Sequence, residues 1–157
     1  MTIQSCNRQV TFDAPERAVS YDVNMTDTML ALDLQDRMVG YAGISRYYKM
    51  EPEVSAKLGN IPELAPHRAS KEFLAGAEAD FFFAGWNFGM SVGGEVTPET
   101  LEPFGIKVYE LTGSCSHLGE AAEDDHGGYV YRHPQHRPHL RNRGARRSTR
   151  ERLSRTA

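Results

Sequence analysis

The stretch Asp80-Phe81-Phe82-Phe83-Ala84 decides the fold class. A strand with one face in water alternates apolar and polar residues, whereas this run carries large apolar side chains toward both faces after a single acid. A continuous apolar strand of this kind belongs in a sheet covered on both sides, and such sheets are mainly parallel. Working outward, residues 10–12, 18–21 and 38–42 are short β-prone runs before it, and residues 106–111 supply one after it. Helix signals lie between them. Thr26 is placed to cap a helix carrying Met29, Leu30, Leu32 and Leu34, with Asp27 near the positive end of its dipole. Ser70 can start another helix through Phe73 and Leu74. Thr97-Pro98-Glu99 combines a cap, a proline at the first helical position and an acid in the first turn, and Gly105 offers a left-handed stop. Strands alternating with capped helical segments predict an α/β protein: a single flavodoxin-like lobe with a mainly parallel sheet flanked by helices.

With 39% hydrophobic residues in 157, the chain has enough apolar mass for one core, provided that mass is evenly spread. It is not. Residues 1–125 carry a net charge of −11, and residues 126–157 carry +8 from nine arginines against Glu151. Arg132, Arg137, Arg141, Arg143, Arg146, Arg147, Arg150, Arg152 and Arg155 sit among few large apolar residues with no helical or strand period, the composition of a disordered basic tail. No run approaches the roughly 18 apolar residues of a spanning helix. The start, Met1-Thr2-Ile3-Gln4-Ser5-Cys6, lacks a basic region followed by an apolar run, so the chain as written carries no export signal and would remain cytoplasmic. Cys6 and Cys115 lack metal-ligand spacing and are compatible with either a disulfide or two unrelated thiols.

Three runs in order carry a family likeness: Pro15-Glu16-Arg17-Ala18-Val19-Ser20-Tyr21, then Asn24-Met25-Thr26-Asp27-Thr28-Met29-Leu30-Ala31-Leu32, then Asp36-Arg37-Met38-Val39-Gly40. Pro62-Glu63-Leu64, Ser70-Lys71-Glu72, the passage to Ala84-Gly85-Trp86, and Thr97-Pro98-Glu99-Thr100-Leu101 up to Gly105-Ile106-Lys107-Val108-Tyr109 continue it. Over residues 3–118 the chain resembles the first lobe of class III periplasmic binding proteins. The resemblance implies a substrate-binding component of an ABC importer for ferric siderophores or related chelates, periplasmic or lipid-anchored outside the cytoplasm. Two lobes joined by a long helix would hold the chelate between them. It implies no cofactor beyond the Fe(III)-siderophore complex carried as ligand, and an ABC transporter permease as partner. Glu72 stands where the family's first lobe presents an acid to the permease, while Lys71 occupies a place that is usually apolar.

Residues 1–119 are therefore expected to form this lobe, and residues 120–157 to be an out-of-frame tail. Back-translated with synonymous codons and read one nucleotide later, the stretch from His126 onward encodes an amphipathic helix of the type that joins the family's lobes. A frame change near Gly119 and Glu120 accounts for this, and the protein as written is expected to be truncated and non-functional in transport. Its beginning is expected to fall inside the mature domain. A second lobe running on in the other frame at the locus would bear this out, and a locus with no such lobe would refute it.

Ligands of parallel α/β sheets sit beyond the carboxyl ends of the strands. The loops there carry Asn24; Ser45-Arg46-Tyr47-Tyr48; Trp86-Asn87-Phe88; and Ser114-Cys115-Ser116-His117. A bulky, often anionic and partly aromatic chelate calls for a guanidinium and for aromatic faces, which makes Asn24, Arg46, Tyr47, Tyr48, Trp86 and Asn87 the candidate ligand-binding residues. Against this, Trp86 and one tyrosine are also suited to packing the lobe's rim, and Arg46 to a solvated surface. His126, His133, His136 and His139 have no scaffold that would make them a metal site. The tail's charge would attract phosphate without sequence specificity, so nucleic acid is not an expected partner. Catalysis has thin candidates: Cys115 and His117 are two apart, and Gly93-Gly94 lacks the phosphate-loop lysine. A stand-alone cytoplasmic α/β interaction domain with a basic arm is the competing reading.

Overall fold

The computed structural model describes residues 1–118. The arginine-rich stretch, its four histidines and the expected frame change near Gly119 lie outside the described residues. An antiparallel hairpin, β1 (Thr2–Ser5) and β2 (Arg8–Thr11), precedes the main sheet, pairing Thr2 with Thr11 and Ser5 with Arg8. The sheet contains β3 (Ala18–Tyr21), β4 (Met38–Ala42), β5 (Glu63–Ala65), β6 (Phe81–Trp86), β7 (Gly89–Met90) and β8 (Lys107–Glu110). Its order is β5-β4-β3-β6-β7, with β8 also on β6, and every pairing is parallel. Helices α1 (Asp22–Ala31), α2 (Pro52–Leu58), α3 (Lys71–Gly76) and α4 (Pro98–Leu101) connect the strands. This is the α/β lobe with a mainly parallel sheet that the sequence predicts.

All six residues of β6 are buried, as a run apolar on both faces requires. In register, Phe82 lies between Val19 of β3 and Val108 of β8. Met25, Leu74, Leu101 and Ile106 are also almost wholly buried, so helices α1, α3 and α4 contribute to one core with the strands. Asp80 stands just before the strand rather than in it. Its two carboxylate oxygens accept the N–H groups of Glu16 and Arg17, at 2.9 and 3.0 Å, and hold the approach to β3 against the start of β6. Arg17 returns two bonds to the carbonyls of Ala77 and Glu78.

Helix α4 has the expected cap: Thr97 Oγ1 accepts from Thr100 N, Thr100 Oγ1 accepts from Thr97 N, and Gly105 ends the following 3-10 turn at φ 75°. Helix α3 begins on Ser70, whose hydroxyl accepts from Phe73 N. The expectation for α1 needs correction. Thr26 is not its cap but lies within the helix, fully buried, sharing a 2.8 Å hydrogen bond with Ser20 Oγ, because the helix starts four residues earlier. A threonine that satisfies a neighbouring strand's hydroxyl has no need of the helix end. Leu32 lies beyond the helix and is exposed.

The hairpin is fixed to the sheet by Glu110, a buried carboxylate at the end of β8. Ser5 Oγ donates to it through a short bond, and Arg8 donates to both oxygens at 3.3 and 3.1 Å. A charge taken out of water demands such partners. Cys6, in the hairpin turn, is joined to Cys115 across 109 residues, with the Cα atoms 5.5 Å apart.

Replacing Phe82 with Ala should remove about 3–5 kcal/mol of stability, read as a lower urea midpoint at unchanged slope. Phe73→Ala, at a ring 55% exposed on α3, should stay within about 0.5 kcal/mol of wild type. Equal losses would refute the central place given to β6.

Candidate functional site

Strands β3, β4, β5, β6 and β8 run in one direction, so Tyr21, Ala42, Ala65, Trp86 and Glu110 end along one edge. Tyr21 forms the floor of that edge. Its ring is buried and touches two glycines from different loops: a Cβ on Gly43 would lie 2.6 Å from its far carbons, and one on Gly89 2.7 Å from Cγ. Both glycines have positive φ, 78° and 97°, which side chains disfavour. One tyrosine ring thus seats the loop after β4 and the turn after β6.

The loop after β4 is held from below. Glu63 Oε1 accepts from Ile44 N and Ser45 N at 2.9 and 2.8 Å, Gly43 N donates to Ala65 O, and Arg46 N donates to Pro66 O. Ile44 is buried, and its carbonyl accepts from both Tyr47 N and Tyr48 N. Arg46, Tyr47 and Tyr48 consequently stand in solvent on a fixed backbone, the two rings 63% and 42% exposed.

After β6 the chain makes a tight turn. Phe88 N donates to Gly85 O, Gly85 N donates to Phe88 O, and Asn87 adopts φ 66°, a left-handed conformation that asparagine tolerates. Trp86 N donates to Ser114 Oγ at 2.9 Å. The indole of Trp86 belongs to the core and is 7% exposed, so it offers a ligand little area. The exposed groups of this turn are Asn87 and Phe88, the latter at 43%. Of the rim-packing and stacking roles open to Trp86, its position fits packing.

Asn24 is exposed at the start of α1, where its backbone N–H and Nδ2 both donate to Asp22 Oδ1. Asp22 is not among the residues that the sequence singles out. It is buried at the end of β3, with φ 68°, and burial pushes its carboxyl above the usual range while bonds from Asn24 and Val23 pull it back. Arg68 was missed too. It is exposed after β5, donates to Ser91 Oγ at 3.3 Å, and so ties the loop after β5 to the loop beyond β7. Burial pushes the Tyr21 phenol up and Tyr47 adds to this, while the Arg68 guanidinium opposes it. The edge therefore brings together Tyr21, Asp22, Tyr47 and Arg68. A signal for Asp22 existed, since it directly follows the first parallel strand. None existed for Arg68, because β5 is only three residues long.

Glu72 is exposed in the first turn of α3, where hydrogen bonding with Ser70 lowers its pKa. Among the described residues, no group of three His, Cys, Asp or Glu side chains is placed to hold a metal, and no helix is long and apolar enough to cross a membrane.

No family model matches the chain, and no curated protein matches it. Solved structures do. The chain is similar to an ABC-type Fe3+-hydroxamate transport system from Saccharomonospora viridis DSM 43017, with 32% identity and a TM-score of 0.54 over 70% of this chain and 38% of that one. It also shares the fold of a periplasmic binding protein from Veillonella parvula, with a TM-score of 0.56 at 22% identity over 70% of this chain and 37% of that one. The architecture is that of a periplasmic-binding-protein lobe, the class that the sequence resembles. The chain spans less than two fifths of the length of either protein.

Asp22 gives a pH signature. Its folded pKa lies above the unfolded value, so between the two the folded state holds the extra proton and stability falls as pH rises. Asp22→Asn keeps an acceptor for Asn24 and removes the charge. The variant should be more stable than wild type at neutral pH, with the difference vanishing once the pH falls below the carboxyl's ordinary value of 3.8. Denaturation series across that range check this, and a pH-independent difference would refute it.

Proposed function

We propose that this chain is the first lobe of the extracytoplasmic substrate-binding component of an ABC importer, and that its carboxyl edge forms half of a cleft for a ferric siderophore. The observation that carries the reading is a fixed edge presenting Arg46, Arg68, Tyr47, Tyr48 and Phe88 on a lobe 32% identical to part of an Fe3+-hydroxamate transport system. Two guanidiniums suit the charge and oxygen atoms of an iron chelate, and the rings suit its apolar or aromatic arms. Asn24 and Asn87 add amide groups at the same edge, and Trp86 supports the turn from beneath. The mechanism is non-covalent capture followed by delivery to a permease, so no chemical step is assigned to any residue. Glu72 is the group proposed to meet the permease.

Location outside the cytoplasm gains support from the Cys6–Cys115 bridge, because such bonds persist where the surroundings are oxidising. The same bridge speaks against a cytoplasmic interaction domain. Residues 120–157 are read as an out-of-frame extension that takes no part in binding.

Half a cleft makes half the contacts while the cost of association stays nearly whole, so the dissociation constant should be on the order of 10⁻⁴ M or weaker. The test is a titration of the ¹⁵N-labelled 157-residue protein with a ferric trihydroxamate, using the gallium complex to avoid paramagnetic loss. Shifts should concentrate at residues 24, 44–48, 68 and 86–91, weaken severalfold in Arg46→Ala and Arg68→Ala, and persist in Glu72→Gln. Shifts absent at millimolar ligand or scattered elsewhere would sink the reading. Sub-micromolar retention would refute the claim that this lobe is only half a site.

A further inference from the structure

We propose that the Cys6–Cys115 disulfide is a positioning clamp for the ligand-facing turn at Gly85–Phe88, acting through Ser114 as the positioning residue. The route is continuous in bonds. Cys115 is the covalent neighbour of Ser114, whose hydroxyl accepts the Trp86 N–H at 2.9 Å and donates to Leu111 O at 2.7 Å. Ser114 also lies against Gly85, where a Cβ would come 3.0 Å from its oxygen. The serine therefore meets the turn at two consecutive residues. Fixing the serine fixes the turn that presents Asn87 and Phe88.

Locally, Ser114 is tied to one carbonyl, that of Leu111, by both its N–H and its hydroxyl. It lies in a 3-10 segment, Thr112–Leu118, and such segments have poor hydrogen-bond geometry. The hairpin supplies the restraint at two places. Ser5 and Arg8 bind Glu110 at the segment's approach, with Glu110 N donating to Ser5 Oγ at 2.9 Å, and Cys6 holds Cys115 within the segment. Three residues of the hairpin, Ser5, Cys6 and Arg8, thus bracket residues 110–115. The two ties differ in kind: Arg8 is partly exposed and held non-covalently, whereas the disulfide does not open without a reductant.

This inference rests on the reading of the turn as part of a ligand face, and its test needs no ligand. Amide hydrogen exchange is measured in the full chain for Trp86, with Val19 and Phe82 at the sheet centre reporting global opening. In the Cys6→Ser/Cys115→Ser protein the Trp86 amide should exchange roughly tenfold faster relative to Phe82. Ser114→Ala, with the bridge intact, should reproduce that selective change. Trp86 unchanged in the double variant, or accelerated only in step with Phe82, would overturn the clamp. No effect of Ser114→Ala would overturn the route through the serine.

If the double variant does not fold, wild-type protein is reduced with dithiothreitol in an excluded osmolyte that favours the folded lobe. Dithiothreitol gives two electrons and two protons, leaving two thiols and its own cyclic disulfide. Selective release of Trp86 then supports the clamp, and loss of the whole fold overturns it by making the bridge a requirement of the entire lobe. A failed trihydroxamate titration alongside a positive exchange result would refute the siderophore reading and leave the clamp standing.

Discussion

Water reaches neither face of β6. Phe81 to Trp86 are all buried, so every backbone donor and acceptor in the strand needs a protein partner and every ring needs a cover. Strands β3 and β8 meet the first demand, pairing along both edges of its first half, while the core formed with α1, α3 and α4 meets the second. The rest of the lobe follows from that arrangement. Parallel neighbours put five strand ends along one edge, and loops that carry polar and aromatic side chains can only emerge there or at the opposite end.

At the carboxyl edge, order is obtained by close approach instead of by bulk. Gly43 and Gly89 let two loops settle on the ring of Tyr21, and Glu63 caps two N–H groups of one of them. Arg46, Tyr47 and Tyr48 gain a rigid base while their own side chains remain in solvent. Rigid backbone beneath mobile polar groups lowers the ordering cost of association. The buried, strained Asp22 runs against this economy. Its carboxyl is desolvated and its backbone is left-handed, a local cost borne where the first strand turns into α1.

The layers of the fold were legible because they depend on strong local signals. The apolar run at Phe81–Phe83, the cap at Thr97 and the stop at Gly105 each decide an element alone. Weak signals failed where tertiary partners choose the outcome. Thr26 has the chemistry of a cap, but Ser20 claims its hydroxyl. Glu63-Leu64-Ala65 is too short to declare a strand, so Arg68 went unseen behind it. The burial of Trp86 depends on packing that no spacing reveals. Cys6 and Cys115 lie 109 residues apart, and only the folded hairpin brings them together.

That bridge also changes what the lobe is as a covalent object. Residues 6–115 form a closed ring that contains the entire sheet. A protease cutting once in an exposed loop, such as the one at Arg46–Lys49, would linearise the ring without shedding a fragment. The cut lobe gains one water and loses no residue, and its two pieces part only when the sulfurs are reduced. Wherever the lobe meets a protease, a single nick would then be a survivable injury.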